Sequence, residues 1–249
     1  MPESNAPERQ PSVLAELGGV VDGERVSLDR RLFLQLLAYG GCTDTKPLLS
    51  ELSEAEIPAV VYLDVNDPTG IAVAAVFEDP ERFVSSLRPV LTGGAFSKLI
   101  PKPHLTMFGR TYAFGYEKDL QDTLIRKPQS RLADARNAWA VWYPLRRKGL
   151  YETLSEEEQH EVQLEHMRAG RSFSRDSGIV DIRLACHGLD QNDNDFVLGL
   201  LGARLVPLSM VVQLMRKSEQ TSRYIERLGP FFVGKVAGRT IQPPEATES

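Results

Sequence analysis

The chain repeats itself, and that repeat limits the folds open to it more than any other feature. Asp64-Val65-Asn66-Asp67 returns as Asp190-Gln191-Asn192-Asp193. After each copy stands an apolar run of strand length, Ile71 to Phe77 and then Phe196 to Leu201. An amphipathic helical pattern follows each run, Pro80 to Leu91 and then Pro207 to Arg216. Each half closes on a strand built round a glycine and a base, Phe108-Gly109-Arg110 and Val233-Gly234-Lys235. Each opens on a strand, Leu32 to Tyr39 and Ala138 to Tyr143, and helices over Lys46 to Glu54 and Ser155 to Ala169 fill the gaps. Both halves thus read strand–helix–strand–strand–helix–strand, the order of a ferredoxin-like unit. The expected class is α+β, with ferredoxin-like halves at 31–125 and 136–238, their sheets face to face and helices outside. A linker is expected near Arg126 to Arg136, where Lys127-Pro128-Gln129-Ser130 should break any helix. Residues 1–12 are polar and proline-rich and are expected to be disordered, as is the stretch from Gln242 to Ser249.

The balance of charges narrows the partners. A formal net charge of −5 makes no electrostatic case for nucleic acid. The two cysteines, Cys42 and Cys186, lack a CxxC partner or a metal-finger spacing, which argues against structural zinc. No apolar run approaches the roughly 18 residues of a membrane span. The start has neither a basic nor an apolar signal region, so a cytoplasmic protein is expected, with a trimmed periplasmic form as the alternative.

Four histidines are available for chemistry: His104, His160, His166 and His187. His166 has the best local setting. Ser155-Glu156-Glu157-Glu158 is a capping box that starts its helix, and Gly170 is expected to end it. Val162, His166 and Ala169 share one stripe, while His160, Leu164 and Met167 share the other. Periodicity alone therefore leaves both His160 and His166 open. Downstream, the alternation of a strand puts Asp181, Arg183, Ala185 and His187 on one face and Val180, Ile182, Leu184 and Cys186 on the other. By pattern Arg183 belongs either to a solvated face, paired with Asp181, or to a site. The cluster Arg146-Arg147-Lys148 reads either as an exposed turn or as a clamp for carboxylates. Asp190 to Asp195 lacks the glycine and glutamate of a calcium loop, and its copy at Asp64 marks it as a repeated turn.

An ordered set of motifs adds a resemblance over roughly Arg31 to Val236. It comprises Trp142-Tyr143-Pro144-Leu145-Arg146-Arg147, Glu165-His166, Gly170-Arg171, Asp193-Asn194-Asp195-Phe196, Ser222-Arg223-Tyr224 and Gly229-Pro230-Phe231-Phe232-Val233-Gly234. Together they resemble the chlorite dismutase superfamily, which includes chlorite dismutases and bacterial coproheme decarboxylases. The resemblance implies a dimeric α+β barrel-type fold built from the two repeats, and haem b as cofactor. It puts the axial iron ligand on His166 and the distal residue on Arg183. Tyr143 falls where decarboxylases carry their reactive tyrosine, and Arg147 where a lysine usually contacts a haem propionate. Glu219 falls near a glutamate that hydrogen-bonds the axial histidine in chlorite dismutases, and Thr221 near a serine that holds a propionate in decarboxylases. Leu150-Tyr151 stands where the family often has tryptophans.

Three functions follow as expectations. The first is conversion of chlorite to chloride and dioxygen, with Arg183 holding the departing hypochlorite. The second is peroxide-dependent decarboxylation of coproheme through Tyr143. The third is a haem carrier or haem-free relative with no catalysis. The length of the chain, by the same resemblance, implies a homopentamer.

Overall fold

The computed structural model describes residues 12–244. The expected tails lie outside those residues except for Ser12 and residues 242–244. The described chain opens with an antiparallel hairpin, β1 (Glu16–Val21) and β2 (Glu24–Leu28). The first repeat follows as β3 (Phe33–Gly40), α1 (Lys46–Glu54), β4 (Ala59–Asp64), β5 (Ile71–Phe77), α2 (Arg88–Thr92), a short β6 (Ile100–Pro101) and β7 (Met107–Arg110). After α3 (Lys127–Ala133) the second repeat runs through β8 (Trp139–Arg147), α4 (Glu156–Ser177), β9 (Val180–Ala185), β10 (Phe196–Gly202), α5 (Leu205–Met215), α6 (Glu219–Tyr224), β11 (Ile225–Leu228) and β12 (Phe232–Arg239).

Within each half the strands lie in the same order, β7-β3-β5-β4 and β12-β8-β10-β9. This is the ferredoxin-like arrangement, in which two hairpin-like pairs are interleaved by their crossover helices. The two sheets expected face to face are joined to one another, as the barrel-type fold implied by the resemblance requires. Edge strand β4 pairs antiparallel with β12, and β9 meets β7 through Arg110 and Ala185, so the two sheets join at both edges. The result is one closed barrel of two repeats, which leaves neither sheet with a free edge along those strands.

Alternation along the strands builds two kinds of core. Side chains pointing inward fill the barrel: Leu34, Leu36, Tyr62, Ala74, Trp142, Leu184 and Phe232 are all buried within one cluster. Trp142 lies across Gly199 on the neighbouring strand, where a Cβ would meet its ring at 2.4 Å. Side chains pointing outward meet the helices. Leu48 and Leu52 of α1 pack with Val61, Val73 and Phe96 in the first half. Val141, Leu200, Leu208 and Val211 do the same in the second.

The repeated turns match in detail. The carboxylate of Asp64 accepts the Asn66 N–H at 2.9 Å, and that of Asp190 accepts the Asn192 N–H at 2.7 Å. Both are side-chain turns that mimic a backbone turn, which is why aspartate recurs there. Residues 127–130, expected to break a helix, are helical instead. A wide π turn over Asp122–Arg126 precedes α3, and another over Phe83–Leu87 precedes α2. In each case a proline, Pro128 or Pro89, stands second in the α segment that follows. Proline removes an N–H and crowds the carbonyl of the preceding turn, and widening that turn accommodates it without ending the helix.

Helix α4 keeps its expected start. Ser155 Oγ accepts the Glu158 N–H at 3.3 Å and Glu158 accepts the Ser155 N–H in return at 2.8 Å. The helix does not stop at Gly170. It continues to Ser177, where Gly178 takes a left-handed conformation with φ 69°.

Candidate functional site

A cavity of about 370 Å³ opens between the second-half sheet and α4 and α5. His166, Gly170 and Ser174 line it from one face of α4, with Gln163, Met167 and Arg171 beside them. Met167 was expected on the opposite stripe, but the broad face of α4 takes in both it and His166. His160, the other histidine of this helix, is exposed and does not line the cavity. Gly170 costs roughly 1 kcal/mol in a helix interior relative to alanine. It leaves room over His166: a Cβ there would meet nothing nearer than Met215 at 3.9 Å.

The imidazole of His166 is oriented by α6. Its Nδ1 lies 3.0 Å from Ser218 Oγ, the N-cap of that helix. The Ser218 hydroxyl donates to the carbonyl of Met215 at 2.8 Å, which can only accept. With its one hydrogen so placed, Ser218 accepts from His166, and the tautomer is Nδ1–H with a lone pair on Nε2. Burial, and then the positive charges of Arg183 and Arg147, hold the imidazole pKa down to about 4. His166 is therefore neutral at ordinary pH, the state a metal ligand requires.

Tyr143 and Arg147 reach the cavity from β8, two pleats apart. Tyr143 is buried and stacks on Phe231 with ring centroids 4.7 Å apart. Burial first, and then the charge of Asp181, push its hydroxyl well above the usual phenol range. The Arg147 guanidinium lies 4.2 Å from the Tyr151 ring centroid and 4.6 Å from that of Phe196. Its Nε is buried with no hydrogen-bond partner among the described residues. Neighbouring Arg146 turns outward to Asp193, so the basic cluster divides between a site and a surface.

Arg183 enters from β9 and lines the same cavity. Its Nε is 3.1 Å from Asp181, and its guanidinium lies 4.6 Å from the ring centroid of Phe114. The Asp181–Arg183 contact anticipated for a solvated strand face thus exists, but within the cavity. Thr221 also lines the cavity. Glu219 does not. It pairs with Arg223 at 3.0 Å, and the contact to His166 belongs to Ser218 one residue earlier. His187 sits outside, 3.5 Å from Asp195 and mostly exposed.

Sequence reasoning missed the other side of the cavity. Tyr112, Phe114 and Tyr116 come from the segment after β7, and Arg131 from α3. The segment is fixed from behind: Glu16 of the first hairpin holds Arg110 at 2.6 Å and the Ala113 N–H at 3.0 Å. The Glu117 carboxylate gathers the N–H groups of Phe114, Gly115 and Tyr116. Tyr116 then reaches α4, accepting from Arg171 at 2.9 Å. The period-two spacing of these three aromatic residues was the available signal.

Five arginines (Arg131, Arg147, Arg171, Arg183 and Arg216) line this cavity against one carboxylate, Asp181. In a chain whose net charge is negative, that concentration marks a site for a ligand carrying several negative charges. The fit to haem rests on the same atoms. A lone pair on His166 Nε2, an orphaned guanidinium Nε on Arg147 and an open helix face at Gly170 match an iron, a carboxylate and a flat ring. Among the described residues no cluster of His, Cys, Asp and Glu offers an alternative metal site. No helix among them is long and apolar enough to cross a membrane.

Comparison with known proteins gives the class. Residues 102–237 match the chlorite dismutase family, and the chain belongs to that family. No curated protein sequence matches it. Among solved structures it is similar to a haem-binding protein from Thermus thermophilus, at 18% identity and TM-score 0.65, over 85% of this chain and 93% of that one. A mutant chlorite dismutase from Candidatus Nitrospira defluvii aligns at 15% identity and TM-score 0.63, over 83% and 92% of the two chains. A second mutant of that enzyme, in complex with cyanide, aligns at 14% identity and TM-score 0.63, over 85% and 92%. At such identities these likenesses establish the fold.

Proposed function

We propose that the protein is a haem-dependent oxidoreductase of the chlorite dismutase type, with His166 as the iron ligand and chlorite as substrate. The observation that carries this reading is the neutral, oriented imidazole of His166 in one cavity with Arg183. When bound, haem supplies the redox-active iron that breaks a chlorine–oxygen bond. The chain's own residues do the rest. Ser218 holds the Nδ1 proton and keeps Nε2 turned to the ligand. Arg147 and Thr221 receive carboxylates of the macrocycle, a charged hydrogen bond relieving the buried guanidinium. Arg183, permanently charged, retains the departing hypochlorite beside its reaction partner. Phe114 and Tyr116 screen that step from water.

A second reading, coproheme decarboxylation, is favoured by one feature. The surplus of arginines over carboxylates suits a porphyrin richer in carboxylates than haem b, and buried Tyr143 lies among them. The test is direct. Protein purified with added haem should show a strong visible absorption band and release oxygen on adding chlorite. Retention of haem by His166→Ala at wild-type affinity would remove the ligand assignment. Silence toward chlorite, with conversion of coproheme to haem under peroxide, would pass the reading to Tyr143. As a family member the chain is expected to assemble, a homopentamer by its length, and a sedimentation measurement reads that separately.

A further inference from the structure

Asp181 and Arg131 take part in no step above, yet they form the most connected charged group in the cavity. Arg131 Nη1 donates to both the backbone carbonyl and the carboxylate of Asp181, the latter at 3.2 Å. The other carboxylate oxygen of Asp181 lies 3.1 Å from Arg183 Nε in an ion pair. One carboxylate is therefore shared by two guanidinium groups brought from α3 and β9. Phe114 stacks on Arg183 from the side. With Nε beside the Asp181 carboxylate and the guanidinium packed on Phe114, the terminal amino groups of Arg183 have no hydrogen-bond partner among the described residues and are left for a ligand.

The charge arithmetic sets the consequence. A lone Asp181–Arg183 pair would be neutral and would bind an incoming anion poorly. Without Asp181, two neighbouring guanidinium groups would hold an anion tightly and release it slowly. The triad keeps one net positive charge next to donors whose direction is already fixed. We infer that Asp181 and Arg131 are positioning residues that set how strongly Arg183 holds an anionic substrate or product. This rests on the reading of Arg183 as the anion-binding residue of the haem site.

The test uses nitrite as an anion probe, titrated into the ferric haem-loaded protein and followed by visible absorption at fixed ionic strength. Asp181→Asn removes the charge but keeps an acceptor for Arg183, and should tighten nitrite binding about tenfold, the scale of one charge at this distance in a partly solvated site. Arg131→Met should weaken it by a similar factor, and Arg131→Lys should restore it. Both effects should shrink when Arg183→Gln is added, by the part that acts through that side chain, leaving only the direct effect of the charge. Melting temperatures of the variants control for folding, and a merely structural role would not give opposite signs for the two substitutions. An Asp181→Asn effect undiminished without Arg183, or equal signs for Asp181→Asn and Arg131→Met, overturns the inference. If the wild type takes up no haem, the haem reading fails by itself. The triad is then read in the haem-free protein by nitrate-dependent shifts in melting temperature. Those shifts should be larger than wild type for Asp181→Asn and smaller for Arg131→Met. Any other order overturns the inference there too.

Discussion

The two halves share a strand order and a turn, and they differ in what lies between sheet and helix. In the first half thirteen buried side chains make a continuous layer there, with an open groove at Tyr39 and Phe96, against six in the second, so the first layer is the more densely packed and the second encloses the cavity. Helix α1 is short and sends Leu48 and Leu52 straight into its sheet. Helix α4 runs over 22 residues and buries only Val162. It is held off the sheet by its contacts with α5 and α6, and its inner face carries His166, Gly170 and Ser174 where α1 carries leucines. One frame thus serves two ends. A densely packed layer gives stability, and a layer left open gives a cavity whose walls a ligand can complete.

The largest expected effect lies in the densely packed layer. Leu52 is wholly buried, and Leu52→Ala should cost about 2–5 kcal/mol by lost burial and the cavity left behind. Chemical denaturation checks it. Haem affinity per folded molecule should not change, because the first layer touches nothing in the cavity. A parallel loss of haem affinity would break the division between the halves.

The open layer should respond to ligand instead. Haem at a thousandfold excess over its dissociation constant should stabilise the folded state by about 4 kcal/mol. Hydrogen exchange should report the gain in α4 and leave α1 unchanged. His166→Ala should abolish that gain. Protection appearing equally in both helices would mean that the cavity is not where haem acts.

A smaller effect follows from protonation. The pKa of His166 lies at about 4 in the folded protein, against roughly 6.5 when exposed. A base with a depressed folded pKa contributes stability above its unfolded value and loses that contribution as pH falls. The loss should therefore run from about pH 6.5 down to about 4. Its size is about 1–3 kcal/mol, the lower end applying where solvent screens this half-buried site. Comparing the stability of wild type and His166→Gln across that window isolates it from the carboxylates. A difference that grows on raising the pH above about 7 would contradict the neutral assignment.

How much of this was legible depends on how locally it was encoded. Lys46–Glu54 and Ile71–Phe77 were readable to the residue, because periodicity and flanking turns are local signals. So was the capping box at Ser155. The barrel closure was legible only through the family resemblance, since nothing in a strand's own sequence says which edge it will meet. Pro128 misled because a proline's effect depends on the turn before it, and a widened turn absorbed it. Gly170 misled for the same kind of reason: its neighbours continue the helix, and the glycine serves the space above it. The cavity's far side was hidden by distance along the chain. Ser218 lies 52 residues from His166, and Arg131 lies 50 from Asp181. Pattern left His166 beside His160 and Arg183 between a surface and a site, the resemblance chose between them, and their partners are assigned by folding.

The smallest predicted effect falls on Ser218, where stability and site meet in one hydroxyl. Ser218 caps α6 by accepting the Thr221 N–H, and it accepts the Nδ1 proton of His166. Ser218→Ala removes both bonds. Loss of the cap should cost about 0.5–2 kcal/mol of stability. Loss of the imidazole's partner frees the ring to rotate and to exchange tautomers, which should weaken haem binding about tenfold, the lower end for a residue supporting a metal ligand. Ser218→Thr keeps the hydroxyl and should recover most of both. The two readouts separate the roles: denaturation reads the cap and haem titration reads the histidine. A variant that loses stability but holds haem as tightly as wild type would show that α4 alone orients His166, and that the second half needs less help from α6 than its geometry indicates.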